Sequence, residues 1–398
     1  MEPQPILTNQ YAGITLFVQK HTQSKYWLWQ LTGICTLLSW FLAVPPYTVG
    51  LTSDAWAFVQ IQAADLLHPH HLEVYIRREN MIMRWMLPFV YTLTGRSVIG
   101  VLVLQAVLGF IFLYLSSREV FRVTQDKVLT TFFALAFANI FVFSWFLIDL
   151  AGYGDSFGYF FLLMAMLFRN PVLIFISMQG AFFTDERGVI ASAYVVLWWV
   201  VQYLFKKTAS ERSSLVTIFQ SAFTPQVLAI LAAMAAYVPF RSFIMNNYFP
   251  DHAYTTIGTP VLFADLHRWG LGNSLWTSFE GMWLLMGAAV LVLYKTRNYW
   301  YAAACAFGFL ILLVTGLLVH DVDRAFGYGF PFILIANRVL SYYVPRHEHR
   351  KLMFIIALIC LISPMCYTLG YNKIIWAEPL PMKALMMLDR QMGWGWFD

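Results

Sequence analysis

Apolar runs of near membrane-spanning length recur along almost the whole chain, and that recurrence limits what it can fold into. A spanning helix needs about 20 mostly apolar residues. Eleven runs approach that length: Tyr26–Val44, Ser97–Leu115, Val128–Ile148, Gly154–Phe168, Pro171–Phe183, Val189–Phe205, Leu215–Val238, Ser278–Tyr294, Tyr299–Val319, Ala325–Tyr343 and Leu352–Leu369. Lipid offers the backbone no hydrogen-bond partner, so each run is read as a helix. The composition agrees: 60% of residues are hydrophobic, 18% aromatic and only 12% charged, about half the charge of an ordinary soluble domain. Too little polar surface remains to coat a soluble protein of 398 residues. The expected fold class is all-α: a polytopic integral membrane protein of about eleven transmembrane helices, one domain over residues 1–398. A soluble enzyme and a disordered protein are excluded. So is a nucleic-acid partner, because the net charge of +5 is spread along the chain rather than massed on one stripe.

One threading makes every inner loop basic, with residues 1–25 as a cytoplasmic N-terminus. Lys20, Lys25, Arg118, Arg122, Lys127, Arg169, Lys206, Lys207 and Arg212 then fall inside, as do Lys295, Arg297, Arg346, Arg350 and Lys351. The same threading sends sixteen of the 21 Asp and Glu outside. It also places there a first long loop at 45–96, a lid-like loop at 240–277 and the tail 370–398. Trp376, Trp394 and Trp396 suit that tail to a surface-lying segment. Met81–Thr94 is apolar but only about 14 residues long and carries Arg84, so it is expected to be interfacial or re-entrant. The first run lacks a small-x-small cleavage site and is expected to stay as an anchor. Cys35, Cys305, Cys360 and Cys366 lie in apolar runs with no CxxC pattern, and read as packing residues.

Four charged clusters stand at outer span ends: Asp54 near Trp56, Asp149 with Asp155, Asp185-Glu186-Arg187, and His320-Asp321-Val322-Asp323-Arg324. Charges within hydrocarbon are expensive, so clusters at one depth imply either a shared watered cavity or local pairing at the headgroup level. Asp54 can serve as a general base at the lip of an apolar cavity, or Ser53 or Asp54 can cap a short helix. Asp149 and Asp155 bracket a turn made tight by Gly152 and Gly154, which suits either a ligand or an ordinary helical hairpin. Arg187 has the fork to grip a phosphate. On a continuing helix His320, Asp321 and Arg324 share a face. Asp321-x-Asp323 has the spacing of the metal motif of soluble nucleotide-sugar transferases, but no soluble domain surrounds it. His68-Pro-His-His71 with Glu73 has metal-ligating groups, yet Pro69 breaks a regular ligand spacing, so no metal and no cofactor is predicted.

The chain resembles the GT-C superfamily of polytopic glycosyltransferases. The resemblance rests on the cytoplasmic N-terminus, the long first outer loop with a short interfacial helix, an acid soon after the first span (Asp54), and the further outer acids Asp149, Asp155 and Asp185. It implies transfer of a sugar from a polyprenyl-phosphate-linked donor to a glycan, lipid or protein acceptor, on the outer face of a bacterial inner membrane. It implies catalytic roles for Asp54, Asp155 and Asp185, Asp54 being the base. Arg187 and Arg324 match the residues that bind the lipid phosphate, with Glu186, His320 and Asp321 beside them. The competing readings are a transporter or flippase of lipid-linked saccharide, which usually shows broken helices at midplane and internal symmetry, and a noncatalytic membrane scaffold.

Overall fold

The computed structural model describes residues 6–43, 54–68, 81–207, 215–249, 271–317, 322–363, 366–369 and 373–396. These form 19 helices and one short hairpin. The chain opens with α1 (Ile6–His21), α2 (Trp27–Leu42), α3 (Asp54–Ala64) and α4 (Met86–Leu93). Six helices follow in close succession: α5 (Val98–Thr124), α6 (Lys127–Ala138), α7 (Phe141–Ile148), α8 (Asp155–Leu167), α9 (Pro171–Thr184) and α10 (Arg187–Leu204). Next come α11 (Leu215–Ala222), α12 (Pro225–Tyr248), α13 (Leu271–Phe279), α14 (Met282–Lys295) and α15 (Tyr299–Leu317). The last are α16 (Val322–Gly327), α17 (Pro331–Tyr343) and α18 (Arg346–Ile362). The antiparallel pair β1 (Cys366–Leu369) and β2 (Lys373–Trp376) sets Cys366 opposite Trp376, and α19 (Leu380–Met392) closes the described chain.

Four helices, α5, α10, α12 and α15, are long and apolar enough to cross a bilayer, and α6 with α7 makes a fifth if the pair is one span bent by 55°. The chain is a polytopic membrane protein, but eleven unbroken spans are not found among the described residues. Proline explains two of the differences. Leu215–Val238 divides because Thr224 caps a new helix, accepting from the Val227 amide at 3.4 Å, and Pro225 takes a first-turn position where its missing N–H is no loss. Ala325–Tyr343 divides at Pro331, which also takes a first-turn position, although Phe330 before it makes no side-chain cap. α12 runs past Pro239 to Tyr248, so no loop begins at 240, and residues 250–270 of the expected lid lie outside the described residues. Leu352–Leu369 stops being helical at Ile362. In the tail, Trp394 and Trp396 stack at 4.5 Å and are exposed.

Aromatic packing holds the bundle together. Phe112 of α5 meets Phe146 of α7 at 4.9 Å, Phe137 of α6 at 5.6 Å and Phe330 at 5.1 Å. On the other side of α5, Ile99, Val103 and Val107 follow one another turn by turn and are 66%, 58% and 49% exposed, a stripe suited to lipid. Asp126 ties α6 to α18: one oxygen accepts from the Val128 and Leu129 amides at 3.0 and 3.1 Å, and the other pairs with Arg350.

The segment Met81–Thr94, expected to be interfacial or re-entrant, contains α4, and α3 before it is wedged between α4 and other elements. On one side of α3, Trp56 and Val59 pack with Leu87, Val90 and Tyr91 of α4, Val101 of α5 and Phe157 of α8. On the other, Phe58 packs with Met81, Ile82 and Met83 and with Ile244 and Met245 of α12. The buried amide of Gln62 donates to the Ile82 carbonyl at 2.6 Å and so satisfies one polar group of the 81–85 turn.

Gly188 shows how tightly α9 and α10 are joined. A Cβ there would stand 2.7 Å from the carbonyl oxygen of Ala181, which is backbone and cannot swing away. Gly188→Ala is expected to destabilise by about 1–3 kcal/mol, read as a lower unfolding temperature of the detergent-solubilised protein. Gly33→Ala, where a Cβ meets nothing within 4 Å, is expected to cause no loss.

Candidate active site

Five charged side chains from distant parts of the chain meet at the end of the bundle where α8 and α10 begin. Asp155 is the first residue of α8, preceded by Gly154 at φ 78°, a left-handed conformation that glycine adopts without strain. Asp149 stabilises that turn, accepting from the Gly154 amide at 2.9 Å. Trp56 fixes its outer side: the indole lies where a Cβ on Gly152 would be, 2.8 Å away, and its N–H donates to the Leu150 carbonyl at 2.8 Å. Asp185 ends α9 and accepts from the Arg187 amide at 2.9 Å, which turns the chain into α10.

The guanidinium of Arg187 forks onto Asp185, with Nε to Oδ1 at 2.7 Å and Nη2 to Oδ2 at 2.6 Å, and the same Nη2 reaches Asp155 Oδ1 at 2.8 Å. Arg324 of α16 donates from Nε to Asp155 Oδ2 at 2.6 Å and lies 4.0 Å over the Tyr153 ring. Arg84 pairs with Asp185 Oδ2 at 2.8 Å and approaches Glu186 at 3.6 Å. The result is an alternating series, Arg84–Asp185–Arg187–Asp155–Arg324, in which both carboxylates are buried. Glu186 is the exposed member, its side chain 39% accessible, and Arg241 of α12 stands 3.7 Å from it. Buried tyrosines hold the frame: Tyr159 donates to the Arg324 carbonyl at 2.8 Å, and Tyr328 to Asp155 Oδ1 at 3.4 Å. Behind Arg324, Asp323 accepts from the hydroxyls of Thr277 at 2.9 Å and Ser278 at 2.5 Å, which anchors α16 to the end of α13.

Electrostatics separate the acids. Burial opposes ionisation of Asp185, but Arg187 and Arg84 outweigh it and hold that carboxyl well below the usual range. Asp149 is pushed up to about 6 by burial, against the pull of the Gly154 amide. Among the described residues no group of three or more His, Cys, Asp or Glu is placed to hold a metal ion. At this site Asp155 and Asp185 already point their oxygens at arginines, so a dication would first have to displace a guanidinium.

Of the residues singled out in the sequence, Asp155, Asp185, Glu186, Arg187 and Arg324 come together here. Asp54 opens α3 and is exposed, two residues before the Trp56 that packs on the Asp149–Asp155 turn. His320 and Asp321 lie outside the described residues, next to Asp323 and Arg324. So do His70, His71 and Glu73; His68 is exposed and 3.8 Å from Asp65. Sequence reasoning missed Arg84 and Arg241 as members of the cluster. An arginine inside an apolar run needs a buried partner, and asking that of Arg84 leads to the outer acids.

No protein-family model matches the sequence, and no curated protein matches it. Among solved structures, the chain is similar to two crystal structures of the Archaeoglobus fulgidus oligosaccharyltransferase. One is in the apo form (TM-score 0.41, 14% identity), and the other is tethered by a disulfide to an acceptor peptide containing the NVT sequon (TM-score 0.42, 15% identity). Each alignment covers 88% of this chain but 57% and 56% of the other, so the chain spans just over half the length of that protein.

The raised Asp149 makes a pH-dependent expectation. The folded protein holds the Asp149 proton more tightly than the unfolded chain, so the contribution is present at low pH and lost as pH rises through about 6. Asp149→Asn keeps an acceptor oxygen for the Gly154 amide and removes the charge. Its unfolding temperature relative to wild type is expected to rise between pH 5 and pH 7.5; a constant difference would contradict burial as the cause.

Proposed function

We propose that the chain is a membrane glycosyltransferase of the GT-C kind, moving a sugar from a polyprenyl-phosphate-linked donor to an acceptor hydroxyl on the extracytoplasmic face. The observation that carries this reading is the convergence of Arg84, Arg187 and Arg324 on Asp155 and Asp185 at one end of an apolar bundle. A polyprenyl chain stays in the bilayer, so its phosphate has to be met at the membrane boundary, and arginine is the side chain suited to it. The contacts of Arg187 run through Nε and Nη2, and its Nη1 makes no hydrogen bond among the described residues. Arg84 Nε is likewise buried without a partner among the described residues. These are donors aimed by fixed carboxylates, an arrangement that stabilises charge developing on a leaving phosphate.

The three carboxylates then divide their work. Asp155 and Asp185 position the guanidiniums, since all four of their carboxylate oxygens accept from arginine, and Asp185, held well below the usual range by Arg187 and Arg84, is a poor proton acceptor. Asp54, exposed on the helix packed against the same turn, takes the acceptor proton as the acceptor atom attacks the anomeric carbon. The bond to the phosphate oxygen breaks with its electron pair going to the phosphate, which gives inversion in a single displacement. Glu186 lies at the exposed rim, and His320 and Asp321 adjoin Arg324 as further donor-binding candidates.

A transporter or flippase of the same lipid would use the cradle without Asp54. Transfer of a radiolabelled sugar from polyprenyl phosphate, in membranes that contain the protein, distinguishes the two. Asp54→Asn is expected to lower transfer by about 10²–10⁴-fold while polyprenyl phosphate binding persists. Arg324→Gln is expected to weaken binding as well. Undiminished transfer by Asp54→Asn would remove Asp54 from the mechanism.

A further inference from the structure

The bundle carries a second, chemically different site at its opposite end. α8 and α10 start at Asp155 and Arg187. At their far ends, about 18–26 Å away by helical rise, a pocket of ≈ 370 Å³ opens between α5, α8, α10 and α17. Four cations line it: Arg122 of α5, Arg169 of the α8–α9 link, Lys206 just past α10, and Arg338 of α17. Arg122 is bound to Glu119 at 2.6 Å, whereas Arg169, Lys206 and Arg338 form no ion pair among the described residues. Three positive charges therefore face one cavity with no ion pair among the described residues, although the Glu119 carboxylate acts on Arg338 without pairing with it.

A second, independent feature points to a ligand there. Gln202, on the last turn of α10, lines the pocket and is 7% exposed, and its amide nitrogen has no hydrogen-bond partner among the described residues. A buried amide donor left unpaired costs about 1–3 kcal/mol unless something in the cavity accepts from it. The wall behind is rigid, since the indoles of Trp198 and Trp199 donate to the Met166 and Ala165 carbonyls at 2.8 and 3.0 Å. On the rim, the Gln226 amide donates to the Arg169 carbonyl at 3.2 Å and joins the start of α12 to the start of α9. From that rim, exposed apolar side chains run along both helices: Val172 and Leu173 on α9, Leu228 and Leu231 on α12.

We propose that this pocket binds a phosphate group, supplied by an anionic phospholipid whose acyl chains lie along α9 and α12. The guanidiniums and the Lys206 ammonium take the phosphate oxygens, and the Gln202 amide donates to one of them. The site is independent of the sugar-transfer reading, since it shares no residue with the Asp155–Arg324 cluster.

Native mass spectrometry of the purified full chain tests the proposal with added phosphatidylglycerol, phosphatidylcholine or inorganic phosphate. Wild type is expected to retain phosphatidylglycerol at least tenfold more than phosphatidylcholine. Arg169→Gln and Lys206→Gln, both at exposed positions that leave folding intact, are each expected to weaken retention about tenfold or more. Arg118→Gln removes the same charge from an exposed site of α5 that does not line the pocket, and should change nothing. Displacement of the lipid by excess inorganic phosphate would support the phosphate site and assign it to a soluble phosphate. Equal retention of the two lipids, or retention indifferent to Arg169 and Lys206, would overturn the proposal.

Discussion

A run of alternating charge in a nearly dry place organises one end of this protein. Burying an isolated guanidinium or carboxylate is costly, and the cost is offset only when partners and hydrogen bonds are well placed. Here each buried acid touches two arginines: Asp185 meets Arg84 and Arg187, and Asp155 meets Arg187 and Arg324. The members come from the turn before α4, the start of α8, the α9–α10 link and α16. Removing one partner of a buried ion pair costs about 3–5 kcal/mol in proteins, and loss of either acid takes a partner from two arginines at once. The series therefore fixes how four segments meet, and in doing so aims three guanidiniums.

The rest of the fold serves that convergence. Glycines at 152 and 154 take positive φ so that Asp149 and Asp155 can stand on one tight turn, and Trp56 covers the turn from outside. Gly188 lets α10 start in contact with the backbone of α9, which brings Asp185 and Arg187 into register for a bidentate grip. Tyr159 and Tyr328 supply hydroxyls to the Arg324 carbonyl and to Asp155. Because α8 and α10 both begin at this cluster and end at the basic pocket, the two ends of the bundle differ in chemistry: alternating paired charges at one, and at the other four cations of which only Arg122 is in an ion pair among the described residues.

Much of this could be read before any coordinates. Long apolar runs told of a helical membrane protein, and five of the eight expected site residues do meet. Three of the basic residues grouped together in the sequence, Arg122, Arg169 and Lys206, do line one pocket, joined by Arg338 from inside an apolar run, while Asp155, Asp185, Arg187 and Arg324 gather at the opposite end. Hydropathy was blind where local stereochemistry decides. Pro225 and Pro331 each start a new helix inside an apolar run, and α12 passes Pro239 because one missing hydrogen bond does not end a helix. In the sequence Arg84 reads only as a charge in an interfacial segment, because a single sequence carries no information about which distant acid it will find. The burial of α3 on two sides is not legible in its own residues, because it depends on α4, α5, α8 and α12.

The central claim is that the arginine cluster faces a polyprenyl phosphate. Mass spectrometry of lipids that co-purify with the protein from its native membrane tests it most directly. The expected result is a polyprenyl phosphate or its sugar adduct, present with wild type and depleted when Arg324 and Arg187 are both replaced by glutamine. A wild-type preparation free of polyprenyl phosphate, or one whose content is unchanged in the double variant, would contradict the account.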